Sequence, residues 1–364
     1  MVFINHSDPL ARLVLATGVT VVLASVVLFI LTLLLHCSLI IREKRKEKFC
    51  SVWRPLLQNC VFEVPAFVPR INASNIYTFL YLWNYLHESL LGDAKQRLND
   101  LARAAKIDQV AVRMLRKRNL RARLLAVVTL GHLKETSVWE ELRSLAASDN
   151  AFLSLAATSA MIRIDASSAL PILAPLIASR EDWPRTKVIN ILKETSTDVF
   201  AAPLVEAAAS APAPNAARLI RYLEATRCAP ALLLLRAHLK MRPHEDEVVA
   251  ASLRLFGLFQ DPEDLETVRG FVDHTTWFVR LAAVIALGRM GTRQDQARLI
   301  ERLSDDHWWV RYRAAEALAN HPSMSPERMR QIQVAETDPR AQEILVPFLT
   351  PTTEGANLLQ SVRG

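Results

Sequence analysis

The feature that most constrains this chain is a repeat of about 31 residues, a period typical of helical-repeat proteins. Segment 277–288 (WFVRLAAVIALG) and segment 308–319 (WWVRYRAAEALA) align without a gap. The same step, in places two positions longer, recovers the frame from residue 123 onward. A small or apolar residue stands at Ala126, Ala157, Val188, Leu219, Ser252, Ala283 and Ala314, and a larger one four positions later at Leu130, Met161, Leu192, Leu223, Phe256, Leu287 and Leu318. A degenerate last step falls on Leu345 and Leu349.

A period of this length accommodates two short helices and two turns, and each unit buries its apolar face only against the next. Second helices are predicted at Trp139–Ala147, Ala169–Ala178 and Ala229–Leu239. Only 9 glycines against 18 prolines leave few positions for hairpin turns, which disfavours a β-sandwich or barrel. The sequence therefore predicts an all-α protein with an α-solenoid over residues 123–349.

The repeat resembles the HEAT-like repeat, in the short form shared with the phycobilin lyase subunits. Its core motif, Val-Arg followed by a small-residue helix, is matched best at Val279-Arg280 and Val310-Arg311. The resemblance implies a right-handed α-solenoid of about seven to eight helical hairpins. It also implies a ladder of hydrogen bonds between units, in which Arg280 and Arg311 pair with an aspartate near a turn, such as Asp305 or Asp306.

The N-terminal region contains an apolar segment that is long enough to span a membrane. Leu13 to Leu35 is a run without a charged side chain, extended by Ser38 to Ile41. As a helix the run measures roughly 34 Å, against roughly 30 Å of hydrocarbon. The alternative, a cleaved signal peptide, would have a basic leader and a shorter core. We expect a transmembrane helix at 13–41 after a short N-terminus at 1–12.

The charges that follow this run predict its orientation. Five basic residues and two glutamates lie between residues 42 and 48, and the positive-inside rule counts the basic ones. The topology determinants are Arg42, Lys44, Arg45, Lys46 and Lys48. We expect a single-pass protein of a bacterial inner membrane, with its N-terminus outside and its soluble domain in the cytoplasm.

Residues 42–75 are predicted to be a basic juxtamembrane segment followed by a connector, because residues 51–75 contain Pro55, Pro65 and Pro69 and show no helical period. Helical periodicity begins at Ile76 and predicts a first amphipathic helix from Ile76 to Leu91. Residues 76–122 are expected to form N-terminal capping helices. Residues 350–364 are expected to be a C-terminal tail.

The net charge of +7 is concentrated in two places. Segment 103–123 has eight basic residues and one acid, segment 42–48 sums to +3, and all other residues together carry −3. The predicted patch for an anionic partner comprises Arg113, Arg116, Lys117, Arg118, Arg121 and Arg123. The alternative is an ordinary solvated face. No aromatic residues that could stack on bases lie within this stretch, which disfavours single-stranded nucleic acid.

No residue pattern predicts an active site, a cofactor or a metal. The chain lacks a Walker loop, a dinucleotide fingerprint and a Gly-x-Ser-x-Gly elbow, and its four cysteines have no zinc spacing. An iron site of the kind found in a HEAT-like hydroxylase needs several equivalent His-Glu pairs. His87-Glu88 and His244-Glu245 fall at different repeat positions, so the sequence predicts neither iron binding nor enzymatic activity.

The function expected from these features is a scaffold that binds a membrane-associated protein. Membrane-anchored HEAT proteins that this chain resembles accompany membrane glycosyltransferases of exopolysaccharide systems, and the resemblance implies such a partner. Binding of a small molecule or of nucleic acid is not expected. The alternatives are a tethered lyase-like enzyme and a charge-driven binder of anionic lipid or nucleic acid.

Overall fold

The computed structural model describes residues 9–63, 65, 67–241 and 245–349. Every regular element in these residues is helical, which confirms the all-α prediction for this part of the chain. Residues 1–8 of the predicted N-terminus, the predicted tail 350–364 and His244 lie outside the described residues. The chain forms two compact units, Met1–Leu133 and Lys134–Gly364.

The first unit contains five α-helices in its described residues. They are α1 (Pro9–Asn59), α2 (Ile76–Ser89), α3 (Asp93–Ala104), α4 (Ile107–Leu115) and α5 (Leu120–Leu133). Helix α1 is 51 residues long, and its most apolar 18-residue window, with a mean hydropathy of 2.8, makes it long and apolar enough to cross a membrane. None of the residues in this window is buried, so the apolar part of α1 does not pack in the core of the first unit.

The connector predicted for residues 51–75 is wrong for residues 51–59, which continue α1 through Pro55. Trp53, Leu57 and Cys60 follow at helical spacing and are buried. The Trp53 ring meets the edge of the Phe79 ring at 4.8 Å between centroids. Burial of this face against α2 outweighs the backbone hydrogen bond that a proline removes from a helix. Three buried positions were too few to produce a visible period.

Helix α2 begins at the predicted Ile76 and ends at Ser89, two residues before the predicted end. Trp83 is buried and donates from Nε1 to the Leu98 carbonyl at 3.0 Å, which holds α2 on α3. Gly92, with φ of 60°, allows the chain to turn between these two helices. The capping region is therefore a packed group of helices, while Tyr81 and Tyr85 stay exposed on α2.

The second unit alternates first and second helices of repeats. The first helices are α7 (Ala151–Ile164), α9 (Arg185–Lys193), α11 (Ala213–Ala225), α13 (Asp246–Phe259), α15 (Trp277–Met290), α17 (Trp308–Ala319) and α19 (Pro339–Leu349). The second helices are α6 (Trp139–Ala146), α8 (Ala166–Ser179), α10 (Thr197–Ser210), α12 (Ala231–Met241), α14 (Leu265–Gly270), α16 (Gln296–Glu301) and α18 (Pro326–Ala335). The three predicted second helices are confirmed within a few residues at each end.

First helices pack side by side along the second unit, in the order α11, α13, α15, α17 and α19. Second helices do the same from α8 through α10 to α12, which gives two layers. All seven small or apolar positions of the predicted frame are buried, and so are the seven larger ones. The handedness and the number of repeats stay predictions.

Glycine permits the closest approach between first helices. A Cβ added at Gly257 in α13 would lie 2.6 Å from Ala286 Cα in α15, and one added at Gly288 would lie 2.5 Å from Ala317 Cβ in α17. The second contact lies one repeat after the first, at equivalent positions of the frame. Small residues therefore set the spacing between neighbouring repeats here, at positions other than the small position of the sequence frame.

Candidate functional site

The predicted basic patch forms around the turn between α4 and α5, and we call residues 113–123 the basic turn. Arg113 lies in the last turn of α4, and Arg116, Lys117 and Arg118 lie in or beside the turn between the helices. Arg121 follows in the first turn of α5, where the Asn119 side chain caps the helix by accepting the Ala122 N–H at 3.2 Å. Five of the six predicted cations are exposed, and Arg123 is half-buried.

One cation of the basic turn is held by an aromatic side chain. Arg121 donates from Nε to the Tyr81 hydroxyl at 2.8 Å, and its guanidinium carbon lies 5.3 Å from the centre of the Tyr81 ring. This combination of hydrogen bond and cation–π contact orients Arg121 across α2. The Tyr81 side chain, one of five aromatic side chains on α2, is thus part of the basic surface.

The other basic residues of segment 103–123 divide into structural and exposed groups. Arg103 donates from Nη2 to the Leu133 carbonyl at 2.7 Å, at the end of α5. Lys106 occupies the left-handed backbone region, with φ of 56°, between α3 and α4. In the part of the chain that the structure describes, no carboxylate pairs with Arg113, Lys117 or Arg118. An uncompensated set of cations beside a helix N-terminus attracts anions.

The predicted ladder residues Arg280 and Asp305 come together in the second unit. Arg280 donates from Nε and Nη2 to the two carboxylate oxygens of Asp305, at 2.7 and 2.8 Å. Its Nη1 donates to the carbonyls of His274 and Thr275, both at 2.8 Å. Asp305 also accepts the His307 N–H at 2.9 Å at the start of α17. One bidentate pair therefore joins α15 to the entry of the next first helix.

Arg311 repeats the two carbonyl contacts of Arg280 one repeat later, but neither Arg311 nor Asp306 repeats the carboxylate pair. Arg311 donates from Nη1 to the carbonyls of Asp305 and Asp306, at 2.8 and 3.1 Å, and so binds backbone instead of a carboxylate. The Asp306 side chain is exposed and lies 3.7 Å from Arg340. One repeat after Asp305 the chain has Glu336, so no aspartate continues the ladder.

A second ladder on the second helices was missed. Arg236 in α12 forms a bidentate pair with Asp264 at 2.6 and 3.0 Å, and Arg269 in α14 forms one with Asp295 at 2.7 and 2.8 Å. Both aspartates are buried. In the sequence, the two arginines recur one repeat apart and so do the two aspartates. The repeat frame covers only the first helices, so it does not predict this second ladder.

Two ladder carboxylates, Asp305 and Asp295, have lowered pKa values. Burial raises the pKa of Asp305, but hydrogen bonds from Arg280 and the His307 N–H outweigh it and hold the pKa below its usual value. Asp295 behaves alike: burial raises its pKa, while bonds from Arg269 and Thr292 lower it further than burial raises it. These aspartates are therefore charged at neutral pH and stabilise the repeats.

The remaining predicted residues belong to neither the basic turn nor the ladders. The topology determinants Arg42, Lys44, Arg45, Lys46 and Lys48 are exposed along α1. Among the described residues, no three His, Cys, Asp or Glu side chains could hold a metal ion. Two open depressions on the second unit, of about 340 and about 300 Å³, are lined by neither Cys nor His.

Comparison with known proteins concerns the part of the chain that contains the ladders. Residues 234–319 match the family model of HEAT repeats. The match spans α12 to α17 almost completely and includes the three bidentate ladder pairs and both close glycine contacts. A search of the curated proteins gives no match. The matched residues and the helical architecture together support a HEAT-like repeat protein.

Proposed function

We propose that this protein is a membrane-anchored scaffold, in which α1 crosses the inner membrane and the helical repeats hold a protein partner at its cytoplasmic face. The observation that carries the proposal is α1 itself. Its apolar window is fully exposed, yet the same helix enters the first unit through Trp53 and Leu57. Lipid is the surrounding that this exposed apolar surface requires.

The continuity of α1 supports a first unit that lies close to the bilayer. Arg42 marks the expected membrane boundary, and Trp53 is the first buried side chain after it. These residues lie on one helix, so roughly 17 Å of its axis separates them. A partner held by a unit attached in this way works at the membrane and not at a distance from it.

The expected partner is an integral membrane glycosyltransferase of an exopolysaccharide system, as the family resemblance implies. The basic turn supports a partner with an acidic surface, because its exposed Arg113, Lys117 and Arg118 lack carboxylate partners within the described residues. The repeats support a protein partner in general, since helical-repeat solenoids provide extended binding surfaces.

The anchor and its orientation are tested by thiol labelling. Cys228 cannot report topology, because it is buried and burial raises its pKa to about 11. In a Cys37→Ser, Cys50→Ser background, we introduce Ser7→Cys before α1 or Ser144→Cys on the exposed side of α6. In intact spheroplasts an impermeant maleimide should label only the Ser7→Cys protein. The opposite labelling pattern would show that the orientation is the reverse of the one proposed. Release of the protein by a carbonate wash would contradict a membrane-spanning α1.

The partner is tested by crosslinking in membranes, followed by purification in mild detergent. The wild-type chain should recover an integral membrane glycosyltransferase. The triple variant Arg113→Gln, Lys117→Gln, Arg118→Gln should lose it, whereas the control variant Arg289→Gln, Arg293→Gln, Arg298→Gln should keep it. The control removes the same charge from exposed positions outside the basic turn. Recovery of the chain alone would contradict the proposed partner.

A further inference from the structure

Four arginines lie on three successive first helices of the second unit, and the charges of three of them act on the fourth, Arg221. We call Arg185 of α9, Arg218 and Arg221 of α11, and Arg254 of α13 the arginine cluster. Arg218 and Arg221 are three residues apart and therefore share one helix face. Arg254 occupies the position of Arg221 in the next repeat, and α11 packs directly on α13. The packing of α11 on α13 therefore brings equivalent positions of two repeats side by side.

Two members of the cluster have carboxylate partners. Arg218 donates from Nη2 to Glu181 at 2.8 Å and from Nη1 to the Ala178 carbonyl at 3.1 Å. Arg254 Nε lies 3.5 Å from a carboxylate oxygen of Glu224, which stands one turn after Arg221 on α11. The head group of Arg254 is thereby placed against the turn of α11 that follows Arg221.

The other two members, Arg221 and Arg185, form no ion pair with the described residues. Arg221 is half-buried, so water compensates its charge only in part. Burial, followed by the charges of Arg254 and Arg185, lowers the pKa of Arg221, and only Glu247 opposes these effects. A half-buried guanidinium that is surrounded by like charges is energetically unfavourable. An anion at this position would remove that repulsion.

We propose that the arginine cluster binds a compact phosphate-type oxyanion, centred on Arg221. Guanidinium groups present paired N–H donors that match the oxygens of such a group. A nucleic acid would need a row of cations and exposed aromatic side chains, whereas Tyr222 beside Arg221 is buried. The phosphate group comes from free inorganic phosphate or from a phosphorylated small molecule. The site is independent of the basic turn and adds a ligand to the proposed scaffold.

The test measures thermal unfolding of the full chain in detergent, in sodium phosphate and in sodium chloride of equal ionic strength. Phosphate should raise the melting temperature of the wild-type protein by several degrees. The Arg221→Met variant should melt in chloride at or above the wild-type temperature, because it removes like-charge repulsion. It should bind phosphate at least about tenfold more weakly, the loss expected for one charge-assisted contact.

Two further variants make the result specific. Arg185→Met changes an exposed side chain and should also weaken phosphate binding without unfolding the repeat. Arg289→Met, on an exposed part of α15, should leave phosphate binding unchanged. An equal effect of phosphate on the Arg221→Met and wild-type proteins, or no difference between phosphate and chloride for the wild type, would overturn the site.

The source of the phosphate group is distinguished by comparing inorganic phosphate with glycerol 3-phosphate. Tighter binding of the ester would indicate a phosphorylated small molecule, and tighter binding of the inorganic ion would indicate free phosphate. A polyglutamate peptide serves as the third ligand. If this peptide raises the melting temperature and phosphate does not, the arginine cluster is a surface for acidic peptides and not a phosphate site.

Discussion

The basic turn and the ladders use the same residue type in opposite ways. In the ladders, Arg236, Arg269 and Arg280 each meet a buried aspartate through two hydrogen bonds. In the basic turn, Lys117 and Arg118 project from the surface without a carboxylate partner among the described residues. The difference lies in whether a turn of the following repeat supplies an aspartate. Arg236, Arg269 and Arg280 are structural because that aspartate exists, whereas Lys117 and Arg118 have no such partner among the described residues and are available for ligands.

Removing a ladder aspartate should cause the largest loss of stability. Asp305→Asn leaves the guanidinium of Arg280, only 14% exposed, without its counter-charge. We expect a loss of about 3 kcal/mol, at the low end for a broken buried pair because Arg280 keeps its bonds to two carbonyls. Urea unfolding of the detergent-solubilised chain measures it.

The control for this variant is an exposed ion pair. Arg143 and Glu140 lie 3.4 Å apart on α6, and Glu140→Gln should change stability by less than about 0.5 kcal/mol. The double variant Arg280→Met, Asp305→Asn should recover part of the loss, because it leaves no unpaired charge. Equal effects of Asp305→Asn and Glu140→Gln would show that the ladder is no stronger than a surface pair.

Filling the close contact between first helices should have the next largest effect. In Gly257→Ala the new methyl group would meet the backbone of Ala286, so α13 and α15 must separate. We expect a net loss of about 2 kcal/mol, although alanine is the better helix former. Gly270→Ala is the matched control, since a Cβ there meets nothing within 4 Å. A loss of stability for Gly270→Ala as large as that for Gly257→Ala would contradict this packing argument.

The packing frame was predictable because the sequence period repeats both the small residues and the larger ones. Ala283 and Leu287, for example, are the small and the larger position of one repeat, and both are buried as the period predicts. The helical character of residues 51–59 was not predictable, since Trp53 and Leu57 are buried by contacts with distant residues and not by a local pattern. Arg221 was also missed, because its environment depends on Arg254 and Arg185 in the neighbouring repeats.

The ladders should make the repeats sensitive to acid. The pKa values of Asp295 and Asp305 in the folded protein lie below the unfolded value of about 3.9. The stability that these ionised aspartates contribute is therefore complete above about pH 3.9, and it is lost as the pH falls through their pKa values in the folded protein. Asp295→Asn should therefore lower the melting temperature at pH 7 and flatten its decline between about pH 5 and pH 3. Parallel melting curves for the variant and the wild type would contradict a role of Asp295 in acid unfolding.

Neutralising the basic turn should have the smallest effect on stability. The triple variant Arg113→Gln, Lys117→Gln, Arg118→Gln removes exposed cations that no described carboxylate holds, and it relieves repulsion near the N-terminus of α5. We expect the free energy of unfolding to stay within about 0.5 kcal/mol of the wild-type value, or to rise. Urea unfolding measures the change in the free energy of unfolding. A comparison of low and high salt measures the repulsion between the cations of the basic turn, because salt screens it. A loss comparable to that of Asp305→Asn would make these cations structural, and the contrast between the basic turn and the ladders would fail.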